Sequence, residues 1–399
     1  MPVTADAIIV GGGIIGVSIA YHLAQQQLGR ILLLERDVLA GATTGRSVAS
    51  IDHLTLQPHA VDLFARSAAF FAEFDELVGA SCEFVQTGSL VLAGAEQAEG
   101  LATAVAAMQT AGLNVKILSL DELTKIEPRM QIDGIVAASF APGAGYADPV
   151  LATQALAAAA RRLGVVIKQG QLVTKIVLQG RQIVGVETTT STGPVQTISA
   201  PLVIIAAGAW SGELLESVGI QLQLQPVEHP VVCLQRPFTL HTHPSLLDLT
   251  TGIYARPETG GLTLSGSINP KIGHEPINPD GADGYVHDDY ILWTMRRLLQ
   301  RYPQLKTSQL RTGWTGIMTI SPDWQPVIGT WPHLLGLYCA VGFSGQGFQI
   351  SPAVGDFLAR MIIGDSAAAH QLALFTPTRF STGKILRTEQ DGKRYGLLG

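Results

Sequence analysis

The chain has 399 residues, 47% of them hydrophobic and 15% charged, with 43 glycines and 26 Lys and Arg against 32 Asp and Glu. That length exceeds one ordinary small domain and predicts two domains or a single large α/β body. The net charge of −6 offers no basic stripe to displace counterions from phosphates, which excludes nucleic acid as a partner.

Cys82, Cys233 and Cys339 are too few and too scattered for a disulfide framework, a zinc knuckle or an iron–sulfur run. They predict a reducing, cytoplasmic setting. Residues 7–29 carry no Asp, Glu, Lys or Arg, yet glycines sit at their centre, Ser18, His22 and Gln25 to Gln27 follow, and no basic residue precedes them. This reads as fold rather than a signal anchor, and no transmembrane segment is expected.

The first element is the strand Ala7-Ile8-Ile9-Val10, which runs into Gly11-Gly12-Gly13-Ile14-Ile15-Gly16 and a helix. A second strand, Arg30 to Leu34, ends in Glu35. Gly11 permits the turn, Gly13 lets backbone N–H groups approach a pyrophosphate, Gly16 lets the helix lie on the sheet, and Glu35 waits for an adenosine ribose. An acid there repels a 2′-phosphate, so FAD or NAD is expected rather than NADP. Ala40 to Ser47 has no periodic apolar face and reads as a binding loop. Val61, Phe64, Ala68, Phe71 and Val78 have helical spacing, Glu83 to Leu92 reads as a strand, and Glu96 to Ala111 as a helix. Asp148-Pro149 caps and opens a helix running to Leu163. Strands follow at Val165 to Lys168, Leu172 to Leu178 and Ile183 to Thr190, the last two forming a hairpin.

Pro201 to Ser211 is a buried strand followed by a small-residue turn, the second parallel-strand signal. From Gln221 to Arg311 the pattern becomes antiparallel, broken by a helix at Asp288 to Arg301. Leu337 to Val341 is again a buried strand, and Ser351-Pro352 is expected to start the last helix. The two ends of the chain are expected to build one domain together. The polar tail from Phe380 to Gly399 reads as loosely held or as a partner-binding segment.

A hydride carrier such as NAD comes and goes, whereas a flavin is buried along its length and needs several distant segments. Three later stretches have the small-residue character of backbone contact: Thr43 to Ser47, Ala206 to Ser211, and Gly342 to Phe348. The last precedes a helix N-terminus, whose free N–H groups favour developing negative charge. Ordinary strand-to-helix turns would look the same one at a time. His53 is in reach of such a site or is ordinary surface chemistry, and His241-x-His243 lacks a third ligand, so no metal is expected.

Together these stretches make the chain resemble the D-amino-acid-oxidase superfamily of FAD enzymes, in the branch of sarcosine oxidase, glycine oxidase and the beta subunits of dye-linked proline dehydrogenase and opine oxidase. The resemblance rests on Gly11 to Gly16 with Glu35-Arg36, on Gly41 to Ser47, on Ala206 to Ser211, on Ser321-Pro322-Asp323 with Pro326 to Gly329, and on Gly342 to Phe348 with Pro352 to Gly355. It implies an α/β, Rossmann-like FAD-binding domain (1–84, 146–219 and 312–399) with a parallel sheet. The implied substrate domain (85–145 and 220–311) has a mixed, largely antiparallel sheet. Non-covalent FAD would be held by Gly11, Gly13, Ile14, Ile15, Gly16, Glu35, Arg36, Ala42, Thr43, Thr44, Arg46, Ser47, Val173, Ala207, Gly208 and Trp210. Gly316, Ile317, Gly342, Ser344, Gly345, Gln346, Gly347, Phe348 and Gln349 would complete the set.

The implied reaction is dehydrogenation of a C–N bond, with hydride passing to flavin N5 and the imine then hydrolysed. The implied substrates are proline, hydroxyproline, sarcosine, an opine or glycine, contacted by Tyr254, Arg256, His53 and Met318. Tyr254 and Arg256 alternate in phase on one strand and so are expected on one face. Met318 stands where relatives place an arginine clamp, Gly316 where one family member attaches its flavin to cysteine, and Thr263 where that member has an oxygen-activating lysine. These departures imply a dehydrogenase or complex subunit rather than a strict oxidase, with an unnamed electron acceptor and room for a partner subunit carrying further redox centres. An NAD-dependent reductase and a non-catalytic flavin-binding subunit are the alternatives.

Overall fold

The computed structural model describes residues 4–386. Its central sheet has the order Val327–Thr330, Leu337–Val341, Val203–Ile205, Ala7–Val10, Ile31–Leu34, Val166–Lys168, parallel except for the first pair. Strands from both ends of the chain thus share one sheet. Period-two alternation explains how this sheet is covered on both sides. Ala7 and Ile9 join Ile31, Leu33 and Ile204 in a core shared with the helices Ile14–Gln25, Pro149–Arg162 and Gly347–Ile362. Ile8 and Val10 face the other way, onto Val173, Ile176, Ile183, Val186 and Ile198 of an antiparallel meander formed by Leu172–Gln179, Gln182–Thr189 and Gln196–Ser199.

The second large sheet has eight strands in the order Gln309–Ile320, Gln225–Gln235, Leu262–Ser267, Ile253–Glu258, Ser245–Asp248, Ser89–Ala93, Ala137–Ala141, Lys116–Leu118. All its pairs are antiparallel save that of Ser245–Asp248 with Ser89–Ala93. The sheet is mixed, as expected from the sequence. The helix Asp288–Arg301 covers it through Tyr290 and Leu298. The expected boundary between 311 and 312 falls inside Gln309–Ile320, which pairs with Gln225–Gln235 from end to end.

Several local expectations need correction. The strand expected over Glu83 to Leu92 is two strands in different sheets, Val85–Gln86 and Ser89–Ala93, because Gly88 turns the chain at φ +71. The helix expected to start at Ser351-Pro352 begins at Gly347 and is not the last, since Ser366–Leu372 follows it. Pro352 removes the N–H that the Phe348 carbonyl would accept, and the Ser351 hydroxyl donates to that carbonyl instead at 2.8 Å. The helix Leu120–Ile126 escaped the periodicity reading, although Ser119 and Glu122 form a reciprocal capping box. Of the polar tail, Phe380 and Leu386 make contacts, the Arg379 guanidinium lying over the Phe380 ring and the Leu386 N–H donating to Asp323, while residues 381–385 between them are exposed. The rest of the tail lies outside the described residues. Among the described residues no helix is long and apolar enough to cross a membrane.

Candidate functional site

A cavity of about 940 Å³ runs between the two sheets. The four small-residue stretches all line it: Gly11 with Gly13 to Ile15, Ala42 to Thr44 with Arg46 and Ser47, Ala206 to Gly208 with Trp210, and Gly342 to Gln349. Their convergence has local causes. A side chain at Gly11, where φ is +114, would meet the Ala206 carbonyl oxygen at 2.3 Å, so only glycine lets the two turns touch. The loop 41–47 is fastened on both sides: Thr44 Oγ1 accepts from the Ile14 N–H at 3.1 Å, and the Trp314 indole donates to the Arg46 carbonyl at 2.8 Å. The Ser344 N–H donates to the Thr319 carbonyl at 3.0 Å, tying the fourth stretch to the strand Gln309–Ile320.

Two ends of the cavity differ in chemistry. At one end Glu35 closes its strand, accepting from the Gly12 N–H at 2.6 Å and the Asp37 N–H at 2.8 Å. There the Arg36 guanidinium lies 4.0 Å from the Trp210 ring centroid, and both residues bind Asp280, Arg36 at 2.9 Å and the Trp210 indole at 2.8 Å. At the other end His229, Tyr254, His274, Met318 and Trp324 share the wall. The Tyr254 hydroxyl lies 3.1 Å from His229 Nε2, and the rings stack at 5.8 Å. Tyr254 reaches His229 by lying across Gly266, where any Cβ would stand 2.4 Å from its hydroxyl.

Burial holds His229 neutral, its pKa pushed down to about 3 with help from His274. Its Nδ1 is buried without a partner. His274 is also depressed by burial, and its Nδ1 faces the Ile272 carbonyl at 3.1 Å. That contact puts the proton on Nδ1 and leaves Nε2 as the acceptor.

Of the residues expected at the site, Gly16 does not line the cavity. It packs on the turn, where a Cβ would stand 2.0 Å from the Gly11 carbonyl oxygen. Glu35, Arg36, Val173, Gly316, Ile317 and Met318 line the cavity, as does Tyr254. Arg256 does not. It is 2% exposed, with its guanidinium shared among the Val48 carbonyl, the Pro257 carbonyl at 2.9 Å and Glu258 at 3.0 Å, 4.1 Å from the Tyr146 ring centroid. In-phase alternation put it on Tyr254's side of the strand, but these partners hold its charge away from the cavity.

His53 also faces away, packed where a Cβ on Gly143 would meet it at 2.8 Å. Its neighbours Ser50 and Asp52 line the cavity instead, as alternation along an extended segment requires. Thr263 is buried under His243, 2.9 Å from its Nε2, and is absent from the cavity wall, which removes the ground for reading the electron acceptor from it. Cys339 is a packing residue within its strand, its thiol pKa raised by burial. Among the described residues no group of His, Cys, Asp and Glu could hold a metal ion.

Sequence reasoning missed Asp52, His229, His274, Asp280 and Trp324. Only Asp52 carried a usable signal, its place beside the chosen His53; the others meet through sheet register and loop geometry that a single sequence does not state.

The residues suit a long, mostly buried cofactor with a charged middle and a flat apolar end. The close-approach glycines form the cradle, and the free N–H groups of the helix starting at Gly347 open onto the cavity beside the unpartnered Gln346 Oε1. A parallel sheet that holds a dinucleotide and is roofed by a second, largely antiparallel sheet defines a flavin-dependent oxidoreductase. The family model described as FAD dependent oxidoreductase matches residues 6–361, and the chain belongs to that family, with FAD as its cofactor.

It is 30% identical to FAD-dependent oxidoreductase domain-containing protein 1 of Bos taurus, over 96% of this chain and 86% of that protein. It is 26% identical to mitochondrial sarcosine dehydrogenase of Mus musculus over 91% of this chain, which spans only 40% of that longer protein. Among solved structures it superposes on L-proline dehydrogenase from P. horikoshii with a TM-score of 0.86 and 26% identity, covering 96% of this chain and 99% of that one.

Proposed function

We propose that the enzyme dehydrogenates the C–N bond of a small amine or amino acid, giving an imine that water hydrolyses. The observation that carries this reading is one cavity joining the four small-residue stretches to a neutral His229–Tyr254 pair. Bound FAD supplies the hydride acceptor; the protein's task is orientation and exclusion of water.

Gly11, Gly13, Thr44 and Arg46, which line the cavity, would hold the diphosphate, Glu35 the ribose, and the Gly347 helix start with Gln346 the ring system. With the Tyr254 hydroxyl donating to His229 Nε2, the proton of the neutral His229 ring sits on the buried Nδ1. His274 Nε2 presents one acceptor. Met318, Trp324 and Leu247 supply the apolar walls. No strong base is needed, because the reacting amine is the neutral form, so kcat/KM should rise with pH as the free amine deprotonates.

The test is an anaerobic screen of the yellow holoenzyme against amino acids, N-methyl amino acids and cyclic or N-alkyl amines, following loss of flavin absorbance. Bleaching by at least one such compound is expected, and Tyr254→Phe should weaken its kcat/KM by about tenfold, the effect of one hydrogen bond of about 1.4 kcal/mol. A yellow protein that no amine reduces would refute the assignment.

A further inference from the structure

The charges that line the cavity are unbalanced and, Asp52 apart, belong to its cofactor end. Five acidic side chains line the cavity, Glu35, Asp37, Asp52, Glu213 and Asp280, against the basic Arg36 and Arg46. Arg36 is committed to Asp37 and Asp280 beside Trp210, and Arg46 belongs to the loop assigned to the cofactor. Arg256, expected as a substrate contact and the natural anchor for a carboxylate, is sequestered under Val48 and Glu258. Met318, which carries no charge, lines the wall at the substrate end.

Asp52 is the exception to this absence of charge. Ser89 donates to its Oδ1 at 3.0 Å, Gln349 Oε1 accepts from its N–H at 3.1 Å, and among the described residues no ion pair satisfies its carboxylate. The sheet register locates it. Ser89 pairs with Ser245, Val91 with Leu247, and Leu247 with Tyr254. Residues 89 and 91 share one face, so Ser89, with Asp52 above it, stands on the same face as Leu247 and Tyr254, both of which line the cavity. Burial raises the Asp52 pKa to about 6, the direction expected of a carboxyl that awaits a counter-charge.

Building on the amine reading above, we infer that Asp52 reads the cationic nitrogen of the incoming ligand, which gives up its proton to water before hydride leaves, and that the preferred substrate is an aliphatic secondary or tertiary amine without a carboxylate. A desolvated carboxylate needs a cation or several donors. At this end an amino acid's carboxylate would find no cation and a like charge on Asp52. An ammonium would find the reverse: an ionisable carboxylate and the neutral acceptor His274 Nε2.

The test uses the FAD-loaded enzyme and two matched pairs, pyrrolidine with L-proline and N-methylethylamine with sarcosine. Binding is measured by calorimetry and flavin bleaching by anaerobic mixing. The carboxylate-free member of each pair should bind at least tenfold tighter. Asp52→Asn keeps the acceptor for Ser89 but removes the charge; it should weaken pyrrolidine about tenfold and leave L-proline unchanged within twofold. L-Proline and sarcosine binding as tightly as their partners would overturn the substrate class. Equal pyrrolidine affinity in wild type and Asp52→Asn, or no pyrrolidine binding, would overturn the role of Asp52. Tight binding without bleaching in either pair would instead count against amine dehydrogenation, while the order of affinities still decides the cation reading.

Discussion

Three glycine-to-alanine changes, each inside a helix, should give three different outcomes. In an exposed helix interior, alanine is favoured over glycine by about 1 kcal/mol. Gly212, in the helix Ser211–Glu216, has nothing within 4 Å of the methyl that alanine would add, so Gly212→Ala should stabilise by about 0.5–1 kcal/mol. Gly355 packs the helix Gly347–Ile362 against Ile14–Gln25, and its Cβ would stand 2.3 Å from Ser18 Oγ and 2.8 Å from the Ser18 carbonyl carbon. The hydroxyl can turn only by giving up its bond to the Ser351 carbonyl, and the backbone must separate, so Gly355→Ala should cost about 1–3 kcal/mol. Gly16 is tighter still, its Cβ 2.0 Å from the Gly11 carbonyl oxygen. That carbonyl cannot retreat without moving the turn that meets Ala206, so Gly16→Ala should cost about 3 kcal/mol or more and also strip the flavin. Urea unfolding of the apoproteins gives the stabilities, and the ratio of absorbance at flavin and protein bands gives occupancy. Gly355→Ala should lose stability but retain FAD, since it lies off the cavity wall. A Gly16→Ala protein with wild-type stability and full occupancy would refute the close-approach argument.

Asp280→Ala should release the Arg36 and Trp210 contacts at the outer end of the cavity and speed FAD dissociation several-fold, while costing less than about 1 kcal/mol because the pair is exposed; an unchanged off-rate in stopped-flow would contradict it. Arg379→Met leaves Asp323 buried without its partner and should cost about 3–5 kcal/mol in denaturant unfolding, with Asp323→Asn added to it restoring much of the loss. His229, with its pKa pushed down to about 3, and His53 and His243, at about 4, are neutral when folded and take up protons on unfolding. Stability should therefore be full above about pH 6.5 and fall toward pH 4, each losing about 2 kcal/mol by pH 5, and a flat urea midpoint from pH 7 to 5 would contradict the burial of these rings. Arg256→Lys cannot serve the Val48 and Pro257 carbonyls and Glu258 together, so it should lower stability by about 2 kcal/mol yet leave L-proline and pyrrolidine affinities equal to wild type within twofold; selective loss of L-proline binding would make Arg256 a carboxylate anchor after all.

The cofactor end was legible because its chemistry is local. Gly11, Gly13 and Gly16 act within one turn and one helix start, and the acid that follows, Glu35, is fixed by the length of one strand–helix–strand unit. Close backbone approach leaves a mark in composition, so Ala206 to Trp210 and Gly342 to Phe348 could be picked out although more than 130 positions separate them. Strand boundaries were less legible where a single glycine decides: Gly88 divides between two sheets a segment that reads as one strand. A proline normally marks a helix start, but Pro352 sits five residues inside one, tolerated because a neighbouring serine replaces the lost donor.

The substrate end was not legible because its side chains are chosen by register between strands far apart in sequence. Tyr254 meets His229 only because Gly266 lies between them in the sheet, and no spacing in the chain expresses that three-strand coincidence. Charge misled for a related reason. Arg256 has the residue type and the phase of a carboxylate clamp, yet its guanidinium finds carbonyls and Glu258 closer at hand and settles there. Asp52, with no ion-pair partner among the described residues, keeps its charge for a ligand. In a cavity of this kind the residue left without an internal partner says more about the substrate than the residue whose type matches it.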